Sequence, residues 1–540
     1  MLTRRVFVGR TAAAAAALAW RMPAPTASVV IRGGTVYDGT GAPPIRADVA
    51  IDGDRIRAVG TNLQTTGSTI IDARGLAVAP GFIDIHSHSD LELLVEPRAH
   101  SKIRQGVTTE IIGQDGGSLG PWRNGPPRED DRPPDVTEFF HRLSRSGSAV
   151  NVASMIGAGT VRHVVIGDVD RPSTAEELDR MVALVRDALA HGACGLSSGL
   201  EYVPGGFADL AELVALARPL AKSGLPYASH IRNEDDRLLA AVEEALAVGQ
   251  GAGVPVQISH LKAQGQPNWW KAEPALRAIE AARAAGVDAT FDRYPYVAYS
   301  TGLGSLFPLW SRDGGTDAFL ARLADPTLLP QIEEAVRNKV ARLGSWDAVQ
   351  ITATRSDSLA WTRGRRLGAL AAERGVDPYQ LLLEISRLDR NGSGMVGFGM
   401  SEENTARILA HPLCMICSDG SALAVDGPLA EGSPHPRSFG TFPRVLGWYT
   451  RDQGVMPLET AVHKMTGMPA ARVRLHDRGG IRAGAYADIV VFDPVTVADR
   501  ATFENPFQYP VGIRHVMVNG MLTVRDGEHT GALPGRPLRP

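Results

Sequence analysis

Residues 80–90 read PGFIDIHSHSD, and this stretch decides the fold: an apolar run opened by Pro80-Gly81 ends in His86 and His88, two positions apart, with Asp90 continuing the alternation. Alternate side chains of an extended strand share a face, so the two imidazoles point the same way. Two imidazoles converging at a strand end can hold a divalent metal, zinc first. Taken alone, the pair is equally well explained as two solvated histidines at the end of a strand.

The chain on either side is built to support such an end. Apolar segments of strand length recur at GFIDIHSH, TTEIIG (108–113), VASMIGAG (152–159), ACGLSSGL (193–200), PYASHIR (226–232), PVQISHL (255–261), DATFDRYPY (288–296) and LCMICSDG (413–420). Helical-period stretches separate several of them. One, TAEELDRMVALVRDALAHG, starts at Ser173-Thr174, carries Glu176 and Glu177 in its first turn and ends at Gly192, as capping chemistry requires. Eight strands with intervening helices predict an α/β fold, a (β/α)8 TIM-like barrel, over 81–474. The seventh and eighth strands are too far apart for one helix, so about 300–400 reads as an insertion able to cover the strand ends.

Short alternating segments flank the barrel: SVVIRGGTVYDGTG and ADVAIDGDRIRAVG before it, GIRAGAYADIVVFDP and IRHVMVNGMLTVRDG after it. They predict a small β-sandwich domain built from both chain ends, 26–80 plus 475–540. Residues 1–25 stand apart. Arg4-Arg5, Phe7, the weakly apolar TAAAAAALAW and Pro23-Ala24-Pro25 have the order of a twin-arginine export signal, which predicts a periplasmic or extracellular protein. That segment is too short for stable membrane insertion.

With 540 residues, 44% hydrophobic and 21% charged, the chain has an ordinary globular composition, and its net charge of -3 gives no general attraction to nucleic acid. Three cysteines argue against a disulfide framework. Cys414 and Cys417 are spaced to fall on opposite faces of a strand, which favours core packing over a metal pair. Ser197 and Ser198 have no partner histidine motif, and no phosphate-binding or dinucleotide fingerprint is present.

The polar residues gather where a barrel needs them. His86 and His88 end the first strand, Asp115 follows the second, His230 lies in the fifth, His260 in the sixth and Asp419 in the eighth. Each alone has a plain structural explanation; their joint placement at C-terminal strand ends predicts a metal site. HSHSD, QGVTTEIIG, GLSSGLEYVPG, ASHIRNE, ISHLKA, DRYPYVAYST, CSDG, HPRSFGTFPRVLG and AVHKMTGMPA together resemble the N-acyl-D-amino-acid deacylase (D-aminoacylase) family of the amidohydrolase superfamily, from about residue 28 to 530.

The resemblance implies a metal-dependent hydrolase of linear amides, with one or two divalent ions as its sole cofactor and a small molecule as its partner. His86 and His88 would ligate the more buried position and His230 and His260 the second, with Asp419 as general base. The family's ligand cysteine is replaced here by Asp115 in the turn Gly113-Gln114-Asp115-Gly116, a harder ligand that can bridge two ions. Lys262 would bind the substrate's α-carboxylate, helped by Tyr294 or Tyr296 and by Ser300. Arg437 is a further cationic candidate, although a lone arginine reads first as a solvated surface charge; His435 would line the same mouth. Trp269, Trp270, Phe307 and Trp310 are as readily packing residues as walls of an acyl pocket. The alternatives are a cyclic amidase or dipeptidase on the same fold, or a non-catalytic binding protein that kept the barrel. The oligomeric state is not encoded in any motif.

Overall fold

The computed structural model describes residues 28–64, 68–122 and 135–540; the expected export signal lies outside them. Eight parallel strands form a barrel: Phe82–Asp84, Val107–Ile112, Asn151–Ser154 continued by Ile156–Gly157, Leu196–Gly199, Tyr227–His230, Val256–Ile258, Ala289–Arg293 and Cys414–Ile416. Each pairs with its sequence neighbour, and the last pairs with the seventh. Between the first and eighth strands the backbone ladder is reduced to an isolated parallel bridge, Ser87 to Gly420. Even residues of the eighth strand point outward and odd ones inward. Cys414 and Ile416 accordingly pack beneath the surrounding helices, while Met415 and Cys417 join the inner core. All three cysteines are buried and unbonded, so the packing reading of the two in this strand holds.

Local chemistry places the helices as well. Ala175–Ala190 starts on a capping box in which Thr174 accepts from the Glu177 amide and the Glu177 carboxylate accepts from the Thr174 amide. It buries Met181, Val185 and Ala188 on one stripe, the apolar spacing of a surface helix.

The two chain ends share one nine-stranded sheet, with Ile489–Phe492 antiparallel to Ala77–Pro80. Its period of two decides which face goes where. Ile489 and Val491 join Val78, Ile31 and Val49 in the core of the small domain. Val490 and Phe492 point the other way, into the core shared with the barrel's Phe82 and Phe442. A slip of one residue would exchange the two sets, so the register is tightly specified.

Between the seventh and eighth strands the chain builds an antiparallel sheet of Ala298–Gly302, Gly394–Phe398 and Val349–Ala353, backed by helices that include Leu329–Leu343. This unit sits on the barrel mouth through polar contacts. Lys339 reaches Asp235 at 3.0 Å, and the Gly265 amide and the Trp269 indole N–H both donate to the Gly399 carbonyl at 2.8 Å. Among the described residues no helix is long and apolar enough to cross a membrane.

Candidate metal centre and its cavity

The strand ends bring six side chains into one cluster. His86 Nε2 lies 3.3 Å from His88 Nε2, as the shared strand face requires. Across the barrel, His230 Nδ1 lies 3.0 Å from His260 Nε2. Asp115 stands between the pairs: its Oδ1 is 3.3 Å from His86 Nε2, and its Oδ2 is 3.6, 3.5 and 3.4 Å from His88, His230 and His260. Asp419 Oδ1 completes the first group, 3.0 Å from His88 Nε2 and 3.6 Å from His86 Nε2. The backbone is held in the left-handed region at Asp115 (φ 52°), His260 (φ 35°) and Asp419 (φ 52°), a local cost typical of residues fixed for function.

These donors fit a divalent cation. Ring nitrogens face one another at hydrogen-bond distance, so each contact needs a proton or a cation between the lone pairs, and Asp115 Oδ1 is buried without a hydrogen-bond partner. Imidazole and carboxylate suit zinc and its first-row neighbours, and the carboxylate between the two pairs lies within reach of all four imidazoles. The electrostatics agree. Burial works against a charge on His230, yet Glu234 and Asp115 overcome it and raise the imidazole to about 10. Burial likewise disfavours ionised Asp115, yet His86, His260 and His230 hold it well below the ordinary carboxylate range.

Exposure differs within the first pair: the His86 side chain is fully buried, whereas His88 is 34% exposed at the mouth, against 5% and 2% for His230 and His260. His88 lies two residues further along the strand and therefore nearer solvent.

Behind the imidazoles stands a set of carboxylates that the sequence reading did not single out. Glu234 Oε1 is 3.0 Å from His260 Nδ1, Asp292 Oδ1 is 3.6 Å from His86 Nδ1, and Glu201 Oε2 is 3.7 Å from His230 Nε2. Glu234 is close enough to fix the orientation and basicity of the His260 ring, whereas Asp292 and Glu201 stand beyond hydrogen-bond distance and act on His86 and His230 through their charge. Their signal was acidic residues inside the same strand-end segments, HIRNE, TFDRY and GLEY.

A cavity of about 460 Å³ opens above the cluster. Its walls include Lys262, Tyr294, Ser300, His435 and Arg437. Lys262 is buried; its ammonium donates to Glu234 at 2.5 Å and lies 2.7 Å from His260 Nδ1. Arg437 is not the solvated charge that a lone arginine suggests: it is buried, donates to Asp419 Oδ2 at 2.6 Å and reaches the Ser300 carbonyl at 3.4 Å. Burial works against ionising Asp419, and Arg437, followed by His260 and His88, holds it far below the ordinary range. Tyr296 is excluded from the cavity. The strand ends at Arg293, and beyond Pro295 the Tyr296 ring lies behind His435, edge-on at 5.1 Å, with its hydroxyl 3.5 Å from the Pro436 carbonyl. Trp269, Trp270, Phe307 and Trp310 also lie outside the cavity walls: Phe307 is buried in the core, Trp269 and Trp310 are half-buried, and Trp270 is exposed. Ser197 braces the turn that carries Asp115, donating to the Gly113 carbonyl at 2.6 Å and accepting from the Gly116 amide at 3.1 Å.

Comparison with known proteins gives this arrangement its relatives. Residues 69–524 match the amidohydrolase family. The chain is 40% identical over 519 residues to a D-aminoacylase of Alcaligenes xylosoxydans xylosoxydans, covering 94% of this chain and 97% of that one. A solved D-aminoacylase structure, studied for its binuclear metal centre, is 40% identical with a TM-score of 0.80, covering 95% of this chain and 100% of that one. The N-acyl-D-glutamate deacylase of Bordetella bronchiseptica, solved with zinc and a phosphonate mimic of the tetrahedral intermediate, is 35% identical with the same TM-score and the same coverage. With the barrel, the histidine pairs and the sheet made from both chain ends all in place, the chain belongs to the amidohydrolase family and, within it, to the N-acyl-D-amino-acid deacylases.

Proposed function

We propose that this protein is a metal-dependent hydrolase that cleaves the amide bond of N-acyl-D-amino acids, with zinc at one or two positions of the six-residue cluster. The observation that carries the reading is the meeting, on one cavity floor, of that cluster, with Asp419 among its members, and two buried cations, Lys262 and Arg437. A bound divalent ion supplies Lewis acidity to the scissile carbonyl and to the attacking water. The chain's own residues do the rest. Asp419, ionised and facing the cluster, accepts the proton of the attacking water at Oδ1 and passes it to the leaving nitrogen. Glu234 keeps the His260 imidazole oriented, and Asp292 and Glu201 set negative charge beside His86 and His230. Arg437, Lys262, Tyr294 and Ser300 form the polar wall that receives the free α-carboxylate.

That wall is tested by comparing an N-acyl-D-amino acid with its α-amide. Lys262→Met is expected to lower kcat/KM for the acid by about 30- to 1000-fold, the equivalent of about 2–4 kcal/mol for a charge pair in a partly desolvated mouth. The amide should lose less, by about tenfold or more, because it has no charge to lose. Some loss is common to both substrates, since Lys262 also holds Glu234 and His260. Equal losses for acid and amide would remove Lys262 from carboxylate recognition.

Export through a twin-arginine route is proposed on Arg4-Arg5 and the weakly apolar segment behind them. Replacing both arginines by lysine should hold the precursor in the cytoplasm; unchanged periplasmic recovery would contradict the route.

A further inference from the structure

Lys102 is fully buried, on the short helix His100–Ile103 that follows the first barrel strand, and it is not itself a cavity-lining residue. It donates to Asp84 Oδ2 at 2.8 Å, Ser87 Oγ at 3.0 Å, Ser418 Oγ at 2.7 Å and the Gly420 carbonyl at 2.7 Å, and lies 3.3 Å from Glu110 Oε2. The identity of these partners is informative. Ser87 is the residue between His86 and His88, and Ser418 and Gly420 are the two neighbours of Asp419.

This is also the seam of the barrel where the strand ladder is thinnest, one isolated bridge between the first and eighth strands. What holds the seam is a set of crossed bonds around the ammonium. The Asp419 amide donates to the His86 carbonyl at 2.9 Å, and the His88 amide to the Gly420 carbonyl at 3.1 Å. The Ser418 amide donates to Asp84 Oδ1 at 2.9 Å, and Ser421 Oγ to the His88 carbonyl at 2.8 Å. Asp419 itself has a left-handed backbone, a conformation that persists only when its surroundings over-determine it.

We propose that Lys102 is a positioning residue for the reaction: by bonding the residue between the paired histidines and both residues flanking Asp419, it fixes the distance between the metal-ligand pair and the base. A lysine suits the task because one ammonium has three donors and a compact charge, so it can satisfy oxygens on both strands at once. The kinetic part of this inference rests on the deacylase reading, whereas its prediction for zinc affinity does not.

Removing Lys102 alone would strand two buried carboxylates, so two milder variants test the idea. Lys102→Met combined with Asp84→Asn removes the ammonium together with one counter-charge. Ser418→Ala removes one arm and keeps the ammonium. For the double variant, zinc affinity by chelator competition and kcat are both expected to fall by about 10- to 100-fold, the usual effect of losing support behind a ligand. Ser418→Ala should lower both by about tenfold. KM should stay within about twofold in each variant, because the polar wall of the cavity is untouched. A brace that serves stability alone would lower the melting temperature and leave kcat and zinc affinity of the folded protein at wild-type values, and that result would overturn the proposal. Should the double variant not fold, the same readouts on Ser418→Ala decide. Lower zinc affinity in a chain that hydrolyses no N-acyl-D-amino acid would uphold the positioning role and count against the substrate assignment instead.

Discussion

Asp419→Asn is expected to lower kcat by about 10²- to 10⁴-fold, the range contributed by a positioned general base, with KM little changed. The amide is nearly isosteric and can still accept the Arg437 hydrogen bond through its oxygen, so the loop and the cavity wall should persist. What it lacks is a basic oxygen for the proton of the attacking water. Arg437 makes the carboxylate a weak base, but it also guarantees that Asp419 is ionised across the neutral range, its pKa lying far below the ordinary value. Metal retained at His230, His260 and Asp115 would separate this loss from a loss of the cluster. Near-normal turnover in the folded variant would place the base elsewhere.

The second large effect is expected at Asp115. One of its oxygens faces His86 and the other faces His88, His230 and His260, so it links both halves of the cluster. Asp115→Asn is the appropriate substitution. The backbone there has φ 52°, which asparagine tolerates and most residues do not. A neutral amide offers one weak oxygen in place of an anionic bridge. Zinc content after gel filtration should fall, and turnover should drop by about 10²- to 10⁴-fold, several kcal/mol of Lewis-acid assistance at 1.36 kcal/mol per decade. Asp115→Cys, at some cost in backbone strain at this φ, should recover part of the metal while shifting preference towards softer ions such as cadmium, since a thiolate would offer a softer anionic ligand in the same place. Full zinc occupancy in the asparagine variant would show that Asp115 only shapes its glycine-rich turn.

Much of this architecture was legible in the sequence because period and ligand chemistry coincide. His86 and His88 sit two apart on a strand, and His230 and His260 one βα unit apart, so the barrel geometry alone brings them to one end. The residues behind them were not legible. Glu234 and Asp292 look like any acid near a turn until the neighbouring strand is known, because their roles depend on which imidazole the barrel sets beside them. Lys102 is a stronger case, since its partners lie up to 318 residues away. Arg437 reads as a surface charge for the same reason: only the fold reveals that the first residue of the helix Arg437–Arg444 turns inward onto Asp419. Tyr296 failed differently. Alternation from Tyr294 would have put both rings on one face, but the strand already ends at Arg293, and beyond Pro295 the second ring lies behind His435.

The most direct test of the account is the release of free amino acid from matched N-acetyl-D- and N-acetyl-L-amino acids by the zinc-loaded protein, with a chelator-treated sample alongside. The account predicts release from the D-series, little from the L-series, and loss of activity on chelation that added zinc restores. Absence of amino-acid release from every D-substrate in a protein that holds zinc, or ring opening of cyclic amides in its place, would contradict it.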